Sequence, residues 1–272
     1  MDTMLDTLRT IVRERSRGIP DEDFTLRGLW SVDYRAYPTP YERFMTYSFV
    51  MAQAKRQGCC YADFGSVRLS GEVDALLGQD SREVRGLSVE EDIAILDAAF
   101  GSLPARPTRR HLIDGLPQDK ALARARIVVD EAMALLDATG GRRVANVGVM
   151  GNLIHHLLAE DVEITASDFD PDLIANGILG VPVVSGQESA RLIAESDVAL
   201  VCGETLPSHT LSALLGTAAE HGTRLVVFAV TGCHFAQAYC ADFGIDVVVS
   251  EPQPQYLFQG QSTIDVYRRR SG

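Results

Sequence analysis

From residue 143 onward, short apolar runs alternate with helix-like segments at regular intervals. Runs such as 198–201 and 225–230 are apolar without alternation, which is typical of central parallel strands that are covered on both faces. The predicted strands lie near 143–148, 162–167, 181–184, 197–202, 223–230, 245–249 and 262–268. The last one has no crossover helix before it, so we expect it to run antiparallel. The pattern predicts an α/β fold with a doubly wound, mostly parallel, Rossmann-like sheet.

The part of the chain before this pattern has a different texture. Residues 1–140 are predicted to form a mainly helical N-terminal or lid domain, and residues 141–272 a Rossmann-like cofactor-binding domain. Helices are predicted for the amphipathic start of the chain, for 38–57, for the segment after Ser88 and for 119–136. A short strand is predicted near 59–65. The pair Gly140 and Gly141 is interpreted as a helix end and domain joint.

Composition limits the classes of partner. The net charge of −12 argues against a protein that grips nucleic-acid phosphates, because that task needs a basic face. Apolar runs stay well below the roughly 20 residues of a membrane span, and the start lacks the blocks of a signal peptide. Five cysteines without framework spacing indicate reduced thiols. We therefore expect a cytoplasmic protein with a small-molecule substrate, no nucleic-acid partner and no membrane partner.

The first strand, turn and second strand of this pattern predict a nucleotide-like site. Gly148, Met150 and Gly151 form the turn after the first strand. Asp168 and Asp170 follow the second strand, where an acid can accept both hydroxyl hydrogens of a ribose. The same residues also suit a plain strand-to-helix turn and a helix cap before a proline. The first interpretation predicts an adenosine-containing cofactor, and the acid disfavours NADP.

The loop after the fourth strand is a second candidate position, because doubly wound enzymes keep reactive groups at the carboxyl ends of central strands. Gly203 allows backbone to approach a ligand, and Glu204 is able to orient or deprotonate an amine. Glu204 or Thr205 is predicted to act directly, with a loop-and-cap role as the alternative. On the same edge, His234 is a conceivable base, although an isolated histidine at a helix start is more often structural.

The sequence offers weak candidates for a metal site. Cys59 and Cys60 are vicinal, too close to chelate one ion comfortably, and His155 and His156 sit side by side on a predicted helix and point in different directions. A third group is nearer to a ligand set and comprises Cys233, His234 and Cys240. No metal site is predicted.

A parallel sheet finished by an antiparallel last strand resembles the class I S-adenosylmethionine-dependent methyltransferases over roughly residues 143–270. Relatives that transfer an aminocarboxypropyl group, the nicotianamine-synthase-like enzymes, are included in this resemblance. It implies an S-adenosylmethionine-dependent small-molecule transferase acting by methyl transfer, aminocarboxypropyl transfer or cyclisation of the cofactor's amino-acid part. It implies that Asn152, Gln187 and Glu188 join the glycines and acids above as cofactor-binding residues, with Gln187 or Glu188 bonded to the adenine amine. The alternatives are a helix cap for Asn152 and a solvated helix start for Gln187 and Glu188.

The implied catalytic residues are Glu204, Thr205 and Tyr41. An aromatic-rich front segment either forms plain core or covers the reactive end of the cofactor, since aromatic faces attract a sulfonium cation. Its members are Trp30, Tyr34, Tyr37, Tyr41, Phe44, Tyr47 and Phe49. Exposed apolar positions on the predicted front helices suit a homodimer.

A second resemblance is to the heavy-metal-chelation family, which joins a front domain to a small Rossmann-like domain. The run 203–211 and the later 243–246 are similar to that family's pattern, as is the compact spacing between the second and fourth strands. This resemblance implies a non-catalytic metal or metabolite binder. A nicotinamide-dependent oxidoreductase is a third alternative.

Overall fold

The computed structural model describes residues 3–42, 44–63, 69, 71–252 and 256–270. The helices are α1 (Thr3–Arg15), α2 (Val89–Gly101), α3 (Pro117–Thr139), α4 (Gly151–Leu157), α5 (Pro171–Asn176), α6 (Ser189–Ala194), α7 (Leu211–His221) and α8 (Ala236–Asp242). The strands are β1 (Gly28–Ala36), β2 (Met45–Gln53), β3 (Gln57–Ala62), β4 (Arg109–Ile113), β5 (Arg143–Val147), β6 (Glu163–Asp168), β7 (Val183–Ser185), β8 (Val198–Cys202), β9 (Arg224–Ala229), β10 (Val247–Ser250) and β11 (Ser262–Arg268). Short 3₁₀ helices cover Asp21–Phe24, Gly71–Leu76, Gly186–Glu188, Gly203–Thr205 and Cys233–Phe235. Within these residues, every helix falls short of the combined length and apolar character that a membrane span requires.

The large sheet has eight strands among the described residues, in the order β4-β11-β10-β9-β8-β5-β6-β7. The six strands from β10 to β7 in this order pair in parallel, and β11 pairs antiparallel with both β10 and β4. All seven strands predicted for this half are present, and the last is antiparallel as expected. The predicted α/β class with a mostly parallel sheet is confirmed.

Both faces of the large sheet are buried, which explains why its strands lack alternation. On one face, Val144, Leu200 and Val226 pack with the apolar side of α3. On the other face, Val201 and Val227 pack in a larger core that includes α6, α7, α8 and α2. Full burial of one such side chain stabilises the fold by about 1.5–3 kcal/mol.

The front region, which comprises α1, β1–β3 and α2, contains an antiparallel three-stranded sheet. The helix predicted for 38–57 is wrong, because β2 (Met45–Gln53) occupies the middle of that segment and β3 begins at its end. Alternate residues such as Tyr47 and Phe49 lie on one face of β2, while Ser48 and Val50 lie on the other. The proline-marked start suggested a helix, but the period of two in the aromatic residues decides the structure. The front region is therefore mixed, with helices and a sheet.

Helix α2 joins the two sheets. Ser88 caps it by accepting a hydrogen bond from the backbone N–H of Glu91, as the predicted capping box requires. The helix is buried almost all round, which fits its apolar run. Gly58 of β3 allows close contact, since a Cβ there would lie 2.1 Å from the carbonyl oxygen of Ala94.

The boundary predicted at residue 140 does not separate the two sheets. Strand β4 is hydrogen-bonded to β11, and α3 packs against β8 and β9 of the large sheet. The prediction missed β4 because this strand, at the edge of the sheet, is short and mostly polar. Gly140 does end α3 in a left-handed conformation, with φ of 69°. The glycine pair at 140–141 therefore marks the end of α3, a helix that packs on the large sheet.

Candidate functional site

A cavity of about 660 Å³ lies between the front sheet and the carboxyl ends of β5, β6, β8 and β9. Its volume is in the range of small-molecule sites. Its position is the one that an open α/β sheet offers, outside the carboxyl edge of the strands. The cavity is therefore the candidate functional site.

Aromatic residues of the front sheet form one wall of the cavity. Tyr34, Tyr47, Phe49 and Tyr61 come from one face of all three strands. Their rings pack together, with centroids 5.5 Å apart for Tyr34 and Tyr47 and 5.5 Å apart for Tyr47 and Tyr61. Burial, reinforced by other charges, raises the pKa of Tyr34 and of Tyr47 well above the ordinary phenol value. These phenols keep their protons at neutral pH.

The turn after β5 and the loop after β8 form part of the opposite wall. Gly148 has φ of 75°, and a Cβ at this position would lie 2.5 Å from the Cβ of Cys202. This close approach explains why glycine is needed there. Glu204 lines the cavity, while Thr205 closes its own turn by donating its hydroxyl to the carbonyl oxygen of Cys202 at 2.7 Å. Burial, then the charge of Glu204, raises the pKa of the Cys202 thiol.

Asp168 lines the cavity but is also engaged with the backbone. One carboxylate oxygen accepts the N–H of Val149 at 2.7 Å, and the other accepts the N–H of Asp170 at 2.9 Å. Asp170 caps α5 by accepting the N–H of Asp172 at 2.8 Å. Asp170 thus makes the helix-cap contact that one of the two interpretations predicts. Asp168 orders the turns after β5 and β6.

The start of α4 faces the front region. The two carboxylate oxygens of Glu42 accept the N–H groups of Gly151 and Asn152 at 3.1 Å and 3.0 Å. A Cβ on Gly151 would lie 1.8 Å from the carbonyl oxygen of Tyr41. The amide oxygen of Asn152 accepts the hydroxyl of Thr39 at 2.6 Å. The second glycine of the predicted loop therefore makes room for the protein's own backbone.

A buried ion pair that the sequence analysis missed completes the cavity. Arg124 of α3 contacts Glu251, which follows β10, with Nη1 and Oε2 separated by 2.7 Å. The guanidinium lies over the ring of Tyr256 at 4.7 Å, and Glu251 also accepts the N–H of Tyr256. Burial lowers the pKa of Arg124, but Glu251 outweighs it and the net pKa is raised. Burial raises the pKa of Tyr256 to about 12.

The cavity is strongly acidic. Among the described residues, Arg124 is the one lysine or arginine on its wall. The carboxylates on the wall are Glu42, Asp63, Glu90, Asp168, Asp170, Glu204 and Glu251. Glu251 is paired with Arg124, and the excess of carboxylates over cations among the described wall residues favours a positively charged ligand over an anion.

The structure brings together part of the predicted site. The predicted residues that line the cavity are Gly148, Met150, Asp168, Asp170, Gly203, Glu204 and Thr205. Tyr41 instead stacks on His155 with ring centroids 3.6 Å apart. Gln187 lies in an exposed turn, and Glu188 pairs with Arg191 at 2.6 Å. Of the aromatic front segment, Tyr34, Tyr47 and Phe49 line the cavity, whereas Tyr37 and Phe44 are exposed.

A second group of functional side chains lies outside the cavity wall. Asp97 of α2 lies beside Cys233 and His234, and their ligand atoms are all within 4.8 Å of one another. This cluster, the Asp97 cluster, fits a metal ion by donor type, with one sulfur, one nitrogen and one carboxylate. Cys240, which the sequence grouped with the pair, packs in the large core instead. Sequence spacing gave no signal for Asp97, because it comes from the front region.

The comparisons with known proteins point to one family. A family model described as "Putative heavy-metal chelation" (DUF364) matches residues 131–250. A solved structure from Pyrococcus horikoshii, of a DUF364 protein with unknown function, is 12% identical, covers 98% of this chain and 100% of that one, and has a TM-score of 0.57. Another from Desulfitobacterium hafniense, also a DUF364 protein with unknown function, is 17% identical, covers 96% and 98%, and has a TM-score of 0.57. No curated protein matches the chain.

These findings correct the first resemblance. Neither the matching family nor either structure is described as an S-adenosylmethionine enzyme, so the transferase prediction has no support from them. At sequence identities of 12% and 17%, the two structures support the fold of this chain and not its function. Residues 131–250 thus match the heavy-metal-chelation family, and the chain as a whole shares the α/β fold of two DUF364 structures.

Proposed function

We propose that the protein is a non-catalytic binder of a small organic cation or of a metal ion carried in an organic chelate, and that the cavity holds this ligand. The supporting observation is the wall itself, which combines an excess of carboxylates with a face of packed aromatic rings. The match to the heavy-metal-chelation family supports the metal-chelate form of the ligand.

Each wall contributes a different part of the recognition. Carboxylates such as Glu204 supply the negative field, which is stronger beside buried apolar groups than in water. The rings of Tyr47 and Tyr61 line the aromatic wall, and aromatic faces attract cations. A cation over an aromatic face gains about 0.5–2 kcal/mol, depending on its desolvation. The two walls together suit a ligand with both a charge and an apolar surface.

The size of the cavity supports an organic component in the ligand. Its volume is about 660 Å³. A water molecule takes up roughly 30 Å³ of liquid, so the space exceeds the needs of a bare ion. The ligand is therefore proposed to be a molecule of many atoms.

A transferase that uses S-adenosylmethionine is a narrower proposal for the same cavity, because that cofactor is itself a sulfonium cation. The loops at Gly148, Asp168 and Gly203 favour it by their position at the carboxyl edge. The contacts of Asp168 with Val149 and Asp170 weigh against it, because they show that this carboxylate already orders two backbone turns of the protein itself. We place this activity second.

Isothermal titration calorimetry with matched pairs of probes tests the proposal. The pairs are choline with 3,3-dimethylbutanol, S-adenosylmethionine with methylthioadenosine, and the Ni²⁺–histidine complex with histidine. We expect at least one cation to bind, with its uncharged or metal-free partner weaker by about tenfold or more, which corresponds to about 1.4 kcal/mol. Binding only of the second pair's cation, with turnover, would favour the transferase. No binding by any cation, or equal binding by both members of each pair, would reject the proposal.

Two variants locate the binding in the cavity. Glu204→Gln removes a wall charge and is expected to weaken cation binding by about tenfold. Glu188→Gln, an exposed carboxylate outside the cavity, is the matched control and should leave affinity unchanged. Tyr47→Leu should weaken binding while Tyr47→Phe retains it, because the ring and not the hydroxyl faces the charge.

A further inference from the structure

The Asp97 cluster joins two distant parts of the chain at one point. Asp97 lies in the middle of α2, while Cys233 and His234 begin the 3₁₀ helix after β9. Gly232 turns the chain with φ of 62°, and its N–H is bonded to the carbonyl oxygen of Cys59 at 3.0 Å. Fixed backbone thus presents the thiol and the imidazole to Asp97.

We propose that Asp97, Cys233 and His234 form a binding site for a zinc-like divalent metal ion, separate from the cavity. The site does not rest on the proposed function, because none of the three residues is among the described residues that line the cavity.

The distances between the donor atoms match the geometry of such an ion. Zinc binds sulfur at about 2.3 Å and nitrogen or oxygen at about 2.0–2.1 Å, so tetrahedral ligand atoms lie about 3.3–3.6 Å apart. The Sγ of Cys233 lies 3.4 Å from Nδ1 of His234 and 3.5 Å from Oδ2 of Asp97. Nδ1 of His234 lies 3.4 Å from Oδ1 of Asp97. The two carboxylate distances involve different oxygens of Asp97, and with one donor atom per residue the three atoms lie within 4.8 Å of one another. The side chains therefore have to move to place a single oxygen, the thiol and the imidazole around one ion.

The charge balance of the cluster also favours a cation. Asp97 is fully buried, and its carboxylate accepts the N–H of Cys59 at 2.9 Å and the N–H of His234 at 2.7 Å. The Cys233 thiol and the His234 imidazole lie beside the same carboxylate, and burial of a carboxylate is costly unless hydrogen bonds or positive charge compensate it. A divalent ion at the centre of the cluster would supply that positive charge.

Donor chemistry selects the class of metal. One thiolate, one imidazole and one carboxylate suit zinc and similar ions, whereas calcium and magnesium take oxygen ligands. The imidazole of His234 is 17% exposed, so an ion can enter on its side. Three protein ligands leave a fourth position for a water molecule.

Binding must displace one proton. Burial, then Asp97 and Cys59, raise the pKa of the Cys233 thiol, so the free protein carries S–H. The metal–sulfur bond forms as that S–H bond breaks and the proton passes to solvent, while an imidazole nitrogen of His234 contributes a lone pair. The same raised pKa argues against Cys233 as a nucleophile, because that role needs a lowered pKa.

Titration of the purified full chain with Co²⁺, followed by absorption spectroscopy, tests the site. We expect one ion per chain and a near-ultraviolet thiolate-to-cobalt charge-transfer band, with Zn²⁺ displacing the Co²⁺. The band should vanish in Cys233→Ser. The His234→Ala variant should bind Co²⁺ at least about tenfold more weakly than the wild type. Cys240→Ser, a buried cysteine outside the cluster, is the matched control and should keep the band.

Two results would overturn the proposal. One is a wild-type protein that shows no charge-transfer band, which would leave the cluster as a set of hydrogen bonds. The other is a band that persists in Cys233→Ser. His234→Ala changes a partly exposed side chain, so a folded variant is expected even if Cys233→Ser is unstable. Loss of cavity binding with the cobalt band retained would reject the proposed function alone.

Discussion

Two carboxylates hold the front region against the large sheet, and their surroundings differ. Glu42 accepts the N–H groups of Gly151 and Asn152 at the start of α4. Asp97 accepts those of Cys59 and His234. The hydrogen-bond pattern is the same, with one carboxylate bonded to two backbone donors. Glu42, however, lies on the wall of the cavity, whereas Asp97 has a thiol and an imidazole beside it.

The comparison shows that environment, and not hydrogen-bond pattern, separates the roles of the two residues. Beside Glu42 the neighbours are other carboxylates and rings, and they add to a field that favours a large cation. Beside Asp97 the neighbours are soft and borderline donors at ligand spacing, which favour a single ion. The junction between the two regions therefore carries two different kinds of candidate site.

The largest expected effect separates the two carboxylates by stability. Asp97→Ala leaves two buried N–H groups without an acceptor and should lower the free energy of unfolding by about 2–5 kcal/mol. Glu42→Ala also leaves two buried N–H groups without this acceptor, but Asp97 in addition accepts from the Cys233 thiol, so a smaller loss of about 1–3 kcal/mol is expected for Glu42→Ala. Urea unfolding followed by circular dichroism measures both. Asp97→Asn keeps one carbonyl oxygen and should fall between wild type and Asp97→Ala. Equal losses for the two alanine variants would remove the distinction.

The parallel strands of the large sheet and their carboxyl-edge loops could be predicted because one local pattern determines both. The strand-forming runs of β5, β6 and β8 end at recognisable turns, so the positions of Gly148, Asp168 and Glu204 follow from the sequence alone. A glycine in the sequence indicates that another group packs closely against the backbone, but it does not identify that group. Gly151 was predicted to face a cofactor, but it faces the carbonyl oxygen of Tyr41.

The rest of the site depends on long-range packing that a local pattern does not carry. Glu251 and Arg124 lie 127 positions apart, and Asp97 and His234 lie 137 apart. The front sheet was missed for a different reason, since the alternation of Tyr47, Phe49 and Met51 was visible but the prolines before it suggested a helix. That alternation is the signal that could have found the aromatic wall.

A glycine substitution tests how tightly the front region is seated at α4. In Gly151→Ala the new Cβ would lie 1.8 Å from the carbonyl oxygen of Tyr41, so backbone must move. We expect a loss of about 1–3 kcal/mol and a change in cavity binding, measured by urea unfolding and calorimetry. Gly216→Ala is the matched control, because a Cβ there meets open space in α7. That variant should be more stable by about 0.5–1 kcal/mol. A neutral Gly151→Ala would show that the junction adapts freely.

The dependence on pH separates the two candidate sites. Because the pKa of Cys233 is raised, this thiol is mostly protonated at neutral pH. A rise from about pH 7 to about pH 8 should therefore increase the thiolate fraction tenfold. Co²⁺ affinity at the Asp97 cluster should rise by the same factor, while organic-cation binding in the cavity should change little. The cavity phenols stay protonated in this window, since the pKa of Tyr256 is raised to about 12 and that of Tyr47 is raised as well. Titrations at both pH values measure the two slopes, and parallel slopes would contradict separate sites.

The smallest expected effect concerns the hydrogen bond between Thr39 and Asn152, at the same helix start that Glu42 contacts. In Thr39→Val the hydroxyl that Asn152 accepts at 2.6 Å is lost, and the buried amide oxygen loses that donor. We expect a loss of about 0.5–1.5 kcal/mol in the free energy of unfolding, with Co²⁺ binding at the Asp97 cluster unchanged. Thr217→Val on α7 is the matched control, since its exposed hydroxyl only bonds to a carbonyl oxygen of its own helix. A Thr39→Val variant that alters Co²⁺ affinity would mean that the start of α4 beside Glu42 and the Asp97 cluster are energetically coupled.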